Sequence, residues 1–231
     1  MSVEDNIRHI RETMAEAARR SGRPVSAIRL MAVTKTVNDD LILAAIRTGV
    51  EIIGENYVQE AKRKIGKLGK TGEWHLIGRL QTNKVKYAVH LFDMIHSVDR
   101  LELAAELDRR ARAAGRIIPI LIEVNIGGEI SKSGVPLDSA RDLVRHVASL
   151  ENLSIRGLMT MPPWFDDPEE SRPYFRSLRE LRNKIAGEAI PHVEMRELSM
   201  GMTDDYAIAI EEGATIVRIG RGIFGERKQK P

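Results

Sequence analysis

Short apolar runs alternate along the chain with longer stretches in which apolar residues recur every three to four positions. The first amphipathic stretch, residues 3–20, reads as a helix that stops at Ser21-Gly22-Arg23-Pro24. Eight strand-like runs follow, at residues 28–34, 50–54, 73–78, 92–98, 117–126, 153–161, 195–200 and 215–220. Helix-like segments fill the gaps, at residues 39–48, 56–67, 81–89, 100–114, 137–150, 169–188 and 203–212.

Several of the strand runs are continuous in Val, Ile and Leu, as parallel strands covered on both faces should be. Eight strand–helix alternations in 231 residues point to the α/β class and a closed (β/α)8 TIM-type barrel with an extra N-terminal helix. A doubly wound open sheet is the competing α/β arrangement. No Pro/Gly/Ser-rich linker divides the chain, so residues 1–231 read as a single domain. The one loop-like insertion is Gly127-Gly128-Glu129-Ile130-Ser131-Lys132-Ser133-Gly134, after the fifth strand.

Composition narrows the chemistry. Apolar residues make up 42% and charged ones 30%, an ordinary globular profile. The absence of cysteine excludes disulfides, thiolate metal sites, iron–sulfur clusters and cysteine nucleophiles. No apolar run is long enough to cross a membrane. The acidic start Met1-Ser2-Val3-Glu4-Asp5-Asn6 lacks a secretory h-region, so the expected location is cytoplasmic. A pI near 9.2 invites a nucleic-acid partner. However, 36 Lys+Arg against 33 Asp+Glu leaves only +3, and the signs interleave. The exceptions are Arg109-Arg110-Ala111-Arg112 and Arg227-Lys228-Gln229-Lys230. With 4% aromatics, they read as solvated faces rather than a phosphate-binding stripe.

In a barrel, chemistry collects at the C-terminal strand ends. Lys35 closes the apolar run Leu30-Met31-Ala32-Val33 with no acidic residue before Asp39. Desolvated at the mouth, it is an amine nucleophile for an aldehyde or ketone; position alone favours instead a lysine reaching past the rim into water. Ser199-Met200-Gly201-Met202-Thr203 and Gly220-Arg221-Gly222 are glycine turns after strands seven and eight. Together they would cup a phosphate, with Thr203 as helix N-cap. Arg218 sits in a run expected to be covered on both faces. It is read either as part of a charge network with Glu123 or Glu197 near Arg156, or as aimed at a ligand.

Some motifs mislead. Gly220-Arg221-Gly222-Ile223-Phe224-Gly225 matches a dinucleotide fingerprint but lacks the long helix and the acidic residue that should follow. The six histidines show no metal-binding spacing, so no metal is expected. No G-x-S-x-G elbow or Walker loop is present.

A wider pattern then emerges, in blocks that run from the first strand to the last. These are Ala32-Val33-Thr34-Lys35, Gly54-Glu55-Asn56-Tyr57-Val58-Gln59-Glu60, Trp74-His75-Leu76-Ile77-Gly78, Gln81-Thr82-Asn83-Lys84, Val124-Asn125-Ile126, Ser131-Lys132-Ser133-Gly134, Arg156-Gly157-Leu158-Met159, Leu198-Ser199-Met200-Gly201-Met202-Thr203-Asp204-Asp205 and Val217-Arg218-Ile219-Gly220. Together they closely resemble the pyridoxal phosphate homeostasis protein family.

The resemblance implies a barrel like that of alanine racemase and pyridoxal 5'-phosphate as cofactor. It implies a Schiff base on Lys35, Asn56 beside the cofactor, and Ser199, Gly220 and the Arg221 backbone on the phosphate. It also implies Arg218 facing the pyridine nitrogen. Donor-only arginine would keep that nitrogen unprotonated and weaken the ring as an electron sink. The sequence departs from the family with Arg79 where proline is usual, and with Arg221 where threonine or serine is usual. An arginine at 221 would bring charge to the phosphate in place of a hydroxyl.

Three functions are then weighed. The resemblance favours a non-enzymatic carrier and buffer of the cofactor, serving transient client enzymes; the charged outer faces of the helix-like segments at residues 100–114 and 169–188 favour a monomer. An amino-acid racemase is the alternative, with Tyr57 or His75 as second base; the 11 residues from Arg221 leave no room for the racemases' second domain. A nucleic-acid-associated factor rests on the pI and the basic tail alone.

Overall fold

The computed structural model describes residues 2–129 and 132–226. Ile130 and Ser131 of the insertion and the basic tail from Arg227 lie outside the described residues. Helix α1 (Val3–Arg20) opens on a capping box in which Ser2 and Asp5 satisfy each other's backbone N–H groups. It buries Ile7, Ile10, Met14, Ala17 and Ala18, the stripe its periodicity predicts.

The strands are β1 (Arg29–Val33), β2 (Ile52–Glu55), β3 (Glu73–Leu76), β4 (Met94–Val98), β5 (Ile118–Asn125), β6 (Val135–Pro136), β7 (Leu153–Met159), β8 (Val193–Ser199) and β9 (Ile216–Ile219). The helices after α1 are α2 (Asp39–Arg47), α3 (Val58–Leu68), α4 (Val85–Leu91), α5 (Leu101–Ala113), α6 (Ala140–Val147), α7 (Arg172–Gly187), α8 (Tyr206–Glu211) and α9 (Arg221–Phe224).

All strand pairs are parallel. The order β4-β3-β2-β1-β9-β8-β7-β5 closes on itself through β4–β5, giving an eight-stranded barrel. The two-residue β6 hangs from the end of β5 and is not a stave. Every strand predicted from the sequence is present. The sequence missed β6 and the one-turn α9, which lack the length for a periodic signal.

Two expectations need correcting. Helix α8 begins at Tyr206, not at residue 203. Thr203 is not its N-cap: its Oγ1 accepts from the Gly222 N–H at 3.2 Å and so ties the two glycine turns together. Helix α1 packs on α2, α8 and α9, across the seam where β9 meets β1. Asn6 Nδ2 donates to the Ile223 carbonyl at 2.9 Å and pins α9 to it.

Register decides what faces the lumen, because residues paired across parallel strands share a face. Met31 pairs with Ile52 and Arg218, His75 with Gly54 and Met94, and Ser199 with Met159, which pairs with Glu123. The lumen holds two small apolar clusters, Met31/Ile52/Ile216 and Met94/Leu121/Met159, which are separate from the main core between strands and helices. His75, His96, Ser199 and Arg218 share the lumen with them, all buried.

Candidate functional site

Lys35 follows β1 at the C-terminal mouth. It is half-buried, with Nζ 5.6 Å from the centroid of the exposed Tyr57 ring. Its backbone is gripped from below by Lys64 of α3, which is fully buried. Lys64 Nζ donates to the Thr34 carbonyl at 2.5 Å, to Glu55 Oε1 at 2.6 Å and to Glu60 Oε1 at 2.8 Å. Glu55 Oε1 also accepts from Thr34 Oγ1 at 2.6 Å, and Glu60 Oε1 from the Thr36 N–H at 2.7 Å.

Both neighbours of Lys35 are therefore tied to one charge cluster. Thr36 has φ 62°, a strained conformation for a β-branched residue that persists only when its surroundings over-determine it. Burial pushes the Glu55 carboxyl up, opposed by Lys64 and Thr34. Among the described residues, the second Glu55 oxygen has no hydrogen-bond partner.

Across the mouth, Arg218 of β9 is 3% exposed. Its Nη1 donates to Ser199 Oγ and its Nη2 to the Thr160 carbonyl, both at 2.8 Å. Neither glutamate expected from the sequence bonds to it: Glu197 accepts from Thr215, and Arg156 pairs with Glu194. Burial lowers the guanidinium to about 10, while Asp205 and Glu123 hold it up. Ser199 is fully buried and its oxygen also lies 3.0 Å from His96 Nδ1, so its hydroxyl is engaged within the lumen.

The loop after β8 turns at Gly201, at φ 89°, where a Cβ would come within 2.5 Å of the Ala209 side chain. The Met202 N–H donates to Asp205 Oδ1 at 2.6 Å. Gly220 and Arg221 open α9, where backbone N–H groups lack intrahelical partners by position. The Arg221 side chain is exposed and donates to both oxygens of Asp204, at 2.7 and 2.6 Å.

Asn56 is half-buried beside Tyr57 and lines a cleft of about 640 Å³ together with Arg79, Lys84 and Arg100. A Cβ at Gly78 would fall 2.3 Å from the Asn56 carbonyl oxygen, so only glycine lets these two strand ends meet. The rim is apolar: Tyr57, Met161, Trp164 and Met202 are exposed.

Glu123 of β5 shares this end of the lumen, almost fully buried. Burial, helped by Asp99, raises its carboxyl to about 7 against the pull of Arg218 and Arg79. The folded protein therefore keeps this proton to about pH 7, whereas an unfolded glutamate releases it near 4.5. Stability from this group is full at low pH and declines as pH rises across that window. Glu123→Gln is expected to remove the decline, stabilising the fold at pH 8 by up to about 3 kcal/mol with little change at pH 5. Urea unfolding at the two pH values measures it, and an equal effect at both would refute it.

Sequence reasoning missed His96, Thr160, Glu55 and Lys64. The signal was weak, because a lone histidine or lysine in an apolar run does not announce which face it takes. The structure brings Ser199, Arg218 and the Gly220 turn together, with Lys35 and Asn56 at neighbouring strand ends. It turns the Arg221 side chain to Asp204 instead. The basic run of α5 is internally neutralised, Arg109 and Arg110 by Glu106 and Arg112 by Asp108. Among the described residues, no helix is long and apolar enough to cross a membrane, and no cluster of three metal-ligating side chains forms.

Comparisons with known proteins bear on the family and the fold. The family described as "Alanine racemase, N-terminal domain" matches residues 3–228. A pyridoxal phosphate homeostasis protein of Aquifex aeolicus is 44% identical over 232 residues, covering 99% of this chain and 100% of the relative. The structure of PipY of Synechococcus elongatus PCC7942 with PLP bound has a TM-score of 0.80 at 36% identity, covering 92% of this chain and 100% of that one. Alanine racemase of Corynebacterium glutamicum shares the fold, with a TM-score of 0.75 at 16% identity over 97% of this chain and 62% of its own. With the barrel's sequence matched almost from end to end, the chain belongs to the pyridoxal phosphate homeostasis protein family, built on the alanine racemase N-terminal barrel.

Proposed function

We propose that this protein holds pyridoxal 5'-phosphate at the barrel mouth, joined to Lys35 as a Schiff base, and acts as a carrier and buffer of the cofactor without dedicated turnover. The carrying observation is the donor set: an amine at Lys35, a donor-only guanidinium at Arg218 and a glycine-lined backbone at Gly201 and Gly220. These match an aldehyde, a pyridine nitrogen and a phosphate respectively. When bound, the cofactor supplies the aldehyde that captures amines and a ring whose electron demand depends on protonation of its nitrogen.

Each residue has a part. Lys35 provides the amine, and the Lys64 cluster fixes its backbone. Asn56 borders the ring side of the mouth. Arg218 donates to the ring nitrogen, using N–H groups left over from its bonds to Ser199 and Thr160. Ser199 serves through Arg218, which its oxygen orients, since its hydroxyl is already engaged in the lumen. Gly220 and the Arg221 N–H hold the phosphate.

The Arg221 side chain is spent on Asp204, so Arg221→Thr is expected to change cofactor affinity less than about threefold, well under 1 kcal/mol. A tenfold loss in a spectroscopic titration would show that its charge reaches the phosphate. The protein works as a monomer in the cytoplasm, handing the cofactor to client enzymes in transient encounters.

A racemase reading is kept alive by Tyr57, whose ring sits beside Lys35. His75 is unavailable as its second base, because both its ring nitrogens are hydrogen-bonded within the lumen. The purified protein should turn yellow with pyridoxal phosphate, and borohydride should fix the cofactor to it. A colourless, unfixed protein defeats the proposal, and fast α-proton exchange on alanine would favour the racemase.

A further inference from the structure

A single file of polar groups crosses the lumen. Arg218 Nη1 donates to Ser199 Oγ at 2.8 Å, and Ser199 Oγ lies 3.0 Å from His96 Nδ1. His96 Nε2 lies 3.0 Å from His75 Nδ1, and His75 Nε2 lies 3.2 Å from Glu73 Oε2. Arg29 closes the far end on Glu73 Oε1 at 2.6 Å. His75, His96, Ser199 and Arg218 are all buried, while Glu73 is about half exposed at the opposite end of the barrel from Lys35.

The two ends fix every bond between them. A guanidinium only donates and a carboxylate only accepts, while a neutral imidazole has one donor and one acceptor. His75 therefore gives its Nε2–H to Glu73 and accepts at Nδ1. His96 gives its Nε2–H to His75 and accepts at Nδ1 from the Ser199 hydroxyl. The Ser199 hydrogen is left pointing inward.

We propose that His75 and His96 are positioning residues for the Lys35 site: as neutral Nε2–H rings they hold Ser199 as an acceptor for Arg218, and it donates into the mouth only when His75 takes up a proton. The second state follows from the same accounting. If Ser199 donates outward, His96 must donate to it from Nδ1 and accept at Nε2 from His75 Nδ1–H. His75 must still donate to Glu73 from Nε2, so it carries both protons. The difference is one proton, taken from water at the exposed Glu73 end.

The hydrogen-bond accounting, not its surroundings alone, places the added proton on His75. It faces the Glu73 carboxylate on its own strand, Arg29 from β1 and His96 from β4, while β2 presents only Gly54. Hydrogen bonds from His75 and Arg29 hold Glu73 at about 2, so the acceptor end stays ionised. His96 is kept neutral by burial and by His75, Arg218 and Arg29. Glu123 of β5 and Asp205 before α8 act on Arg218.

The direct test is nitrogen NMR of the full chain with labelled histidine, and it requires no ligand. At pH 7.5 both rings should be neutral with the proton on Nε2. On acidification His75 should become the charged ring while the His96 proton moves to Nδ1. A His96 proton on Nδ1 at pH 7.5, or a His96 tautomer that ignores the charging of His75, overturns the proposal.

The second arm rests on the proposed cofactor reading. The ratio of pyridoxal phosphate affinities at pH 6 and pH 8 should be about tenfold larger for wild type than for His75→Phe, since one linked proton is worth up to tenfold per pH unit. The cofactor's own titration is common to both proteins and cancels. Equal ratios overturn the coupling. If wild type forms no coloured adduct, the functional reading fails, and the ring tautomers alone decide this inference.

Discussion

Lys35→Ala is expected to abolish the visible absorbance acquired with pyridoxal 5'-phosphate and to weaken binding on the order of 100-fold, about 3 kcal/mol. The substitution removes the amine proposed to form the covalent link. It leaves Arg218 on Ser199 and Thr160, and it leaves the Gly201 and Gly220 turns untouched. Residual binding through ring and phosphate should therefore survive, visible as weak quenching of intrinsic fluorescence without colour. Lys35→Arg separates charge from chemistry, because a guanidinium keeps the cation yet condenses poorly with an aldehyde. It should be as colourless as Lys35→Ala. A coloured Lys35→Ala protein would move the link to another lysine and defeat the assignment.

Lys64→Met should give the largest loss of stability, about 3–5 kcal/mol, because removing one partner strands a buried charge. Met fills a similar volume, so the cost is electrostatic rather than a cavity. What remains is Glu55, fully buried with one oxygen already unpartnered, and Glu60. Burial already raises the Glu55 carboxyl. Without Lys64 it should fold protonated and cost more as pH rises, so the loss at pH 8 should exceed that at pH 5.5. Adding Glu55→Gln should recover much of it by replacing the stranded carboxylate with a neutral amide. Urea unfolding of the three variants checks the sign, and a loss independent of pH would refute the stranded-charge account. The same substitution frees the Thr34 carbonyl, so the strained Thr36 conformation should relax and slow capture of the cofactor by Lys35.

Much of the barrel was legible because its signals are local. Continuous apolar runs such as Leu30-Met31-Ala32-Val33 mark strands covered on both faces, and the Ser2–Asp5 box marks the start of α1. Lys35, Asn56 and the two glycine turns could be named as candidates because they lie at strand ends, where barrels do chemistry. Thr203 was misread because a threonine before two aspartates looks like a helix cap. Its real partner, Gly222, lies 19 residues away in α9. Arg218 was recognised as a buried cation needing partners, but the partners named were glutamates. The fold supplied a hydroxyl and a carbonyl from β8 and the end of β7 instead.

The sequence by itself determined the alternation of eight strands with helices, the lysine at the end of the first strand and the family to which these blocks belong. Only the tertiary structure decided that β4 pairs with β5, closing the sheet into a barrel. Closure sets the register, and register sends Glu73, His75, His96, Ser199 and Arg218 into one lumen where they form a single file. The physical reason is range. Helix and strand periodicity act over a few residues and are written in them, whereas a hydrogen bond between β4 and β8 spans 103 positions and exists only once every strand between is in place.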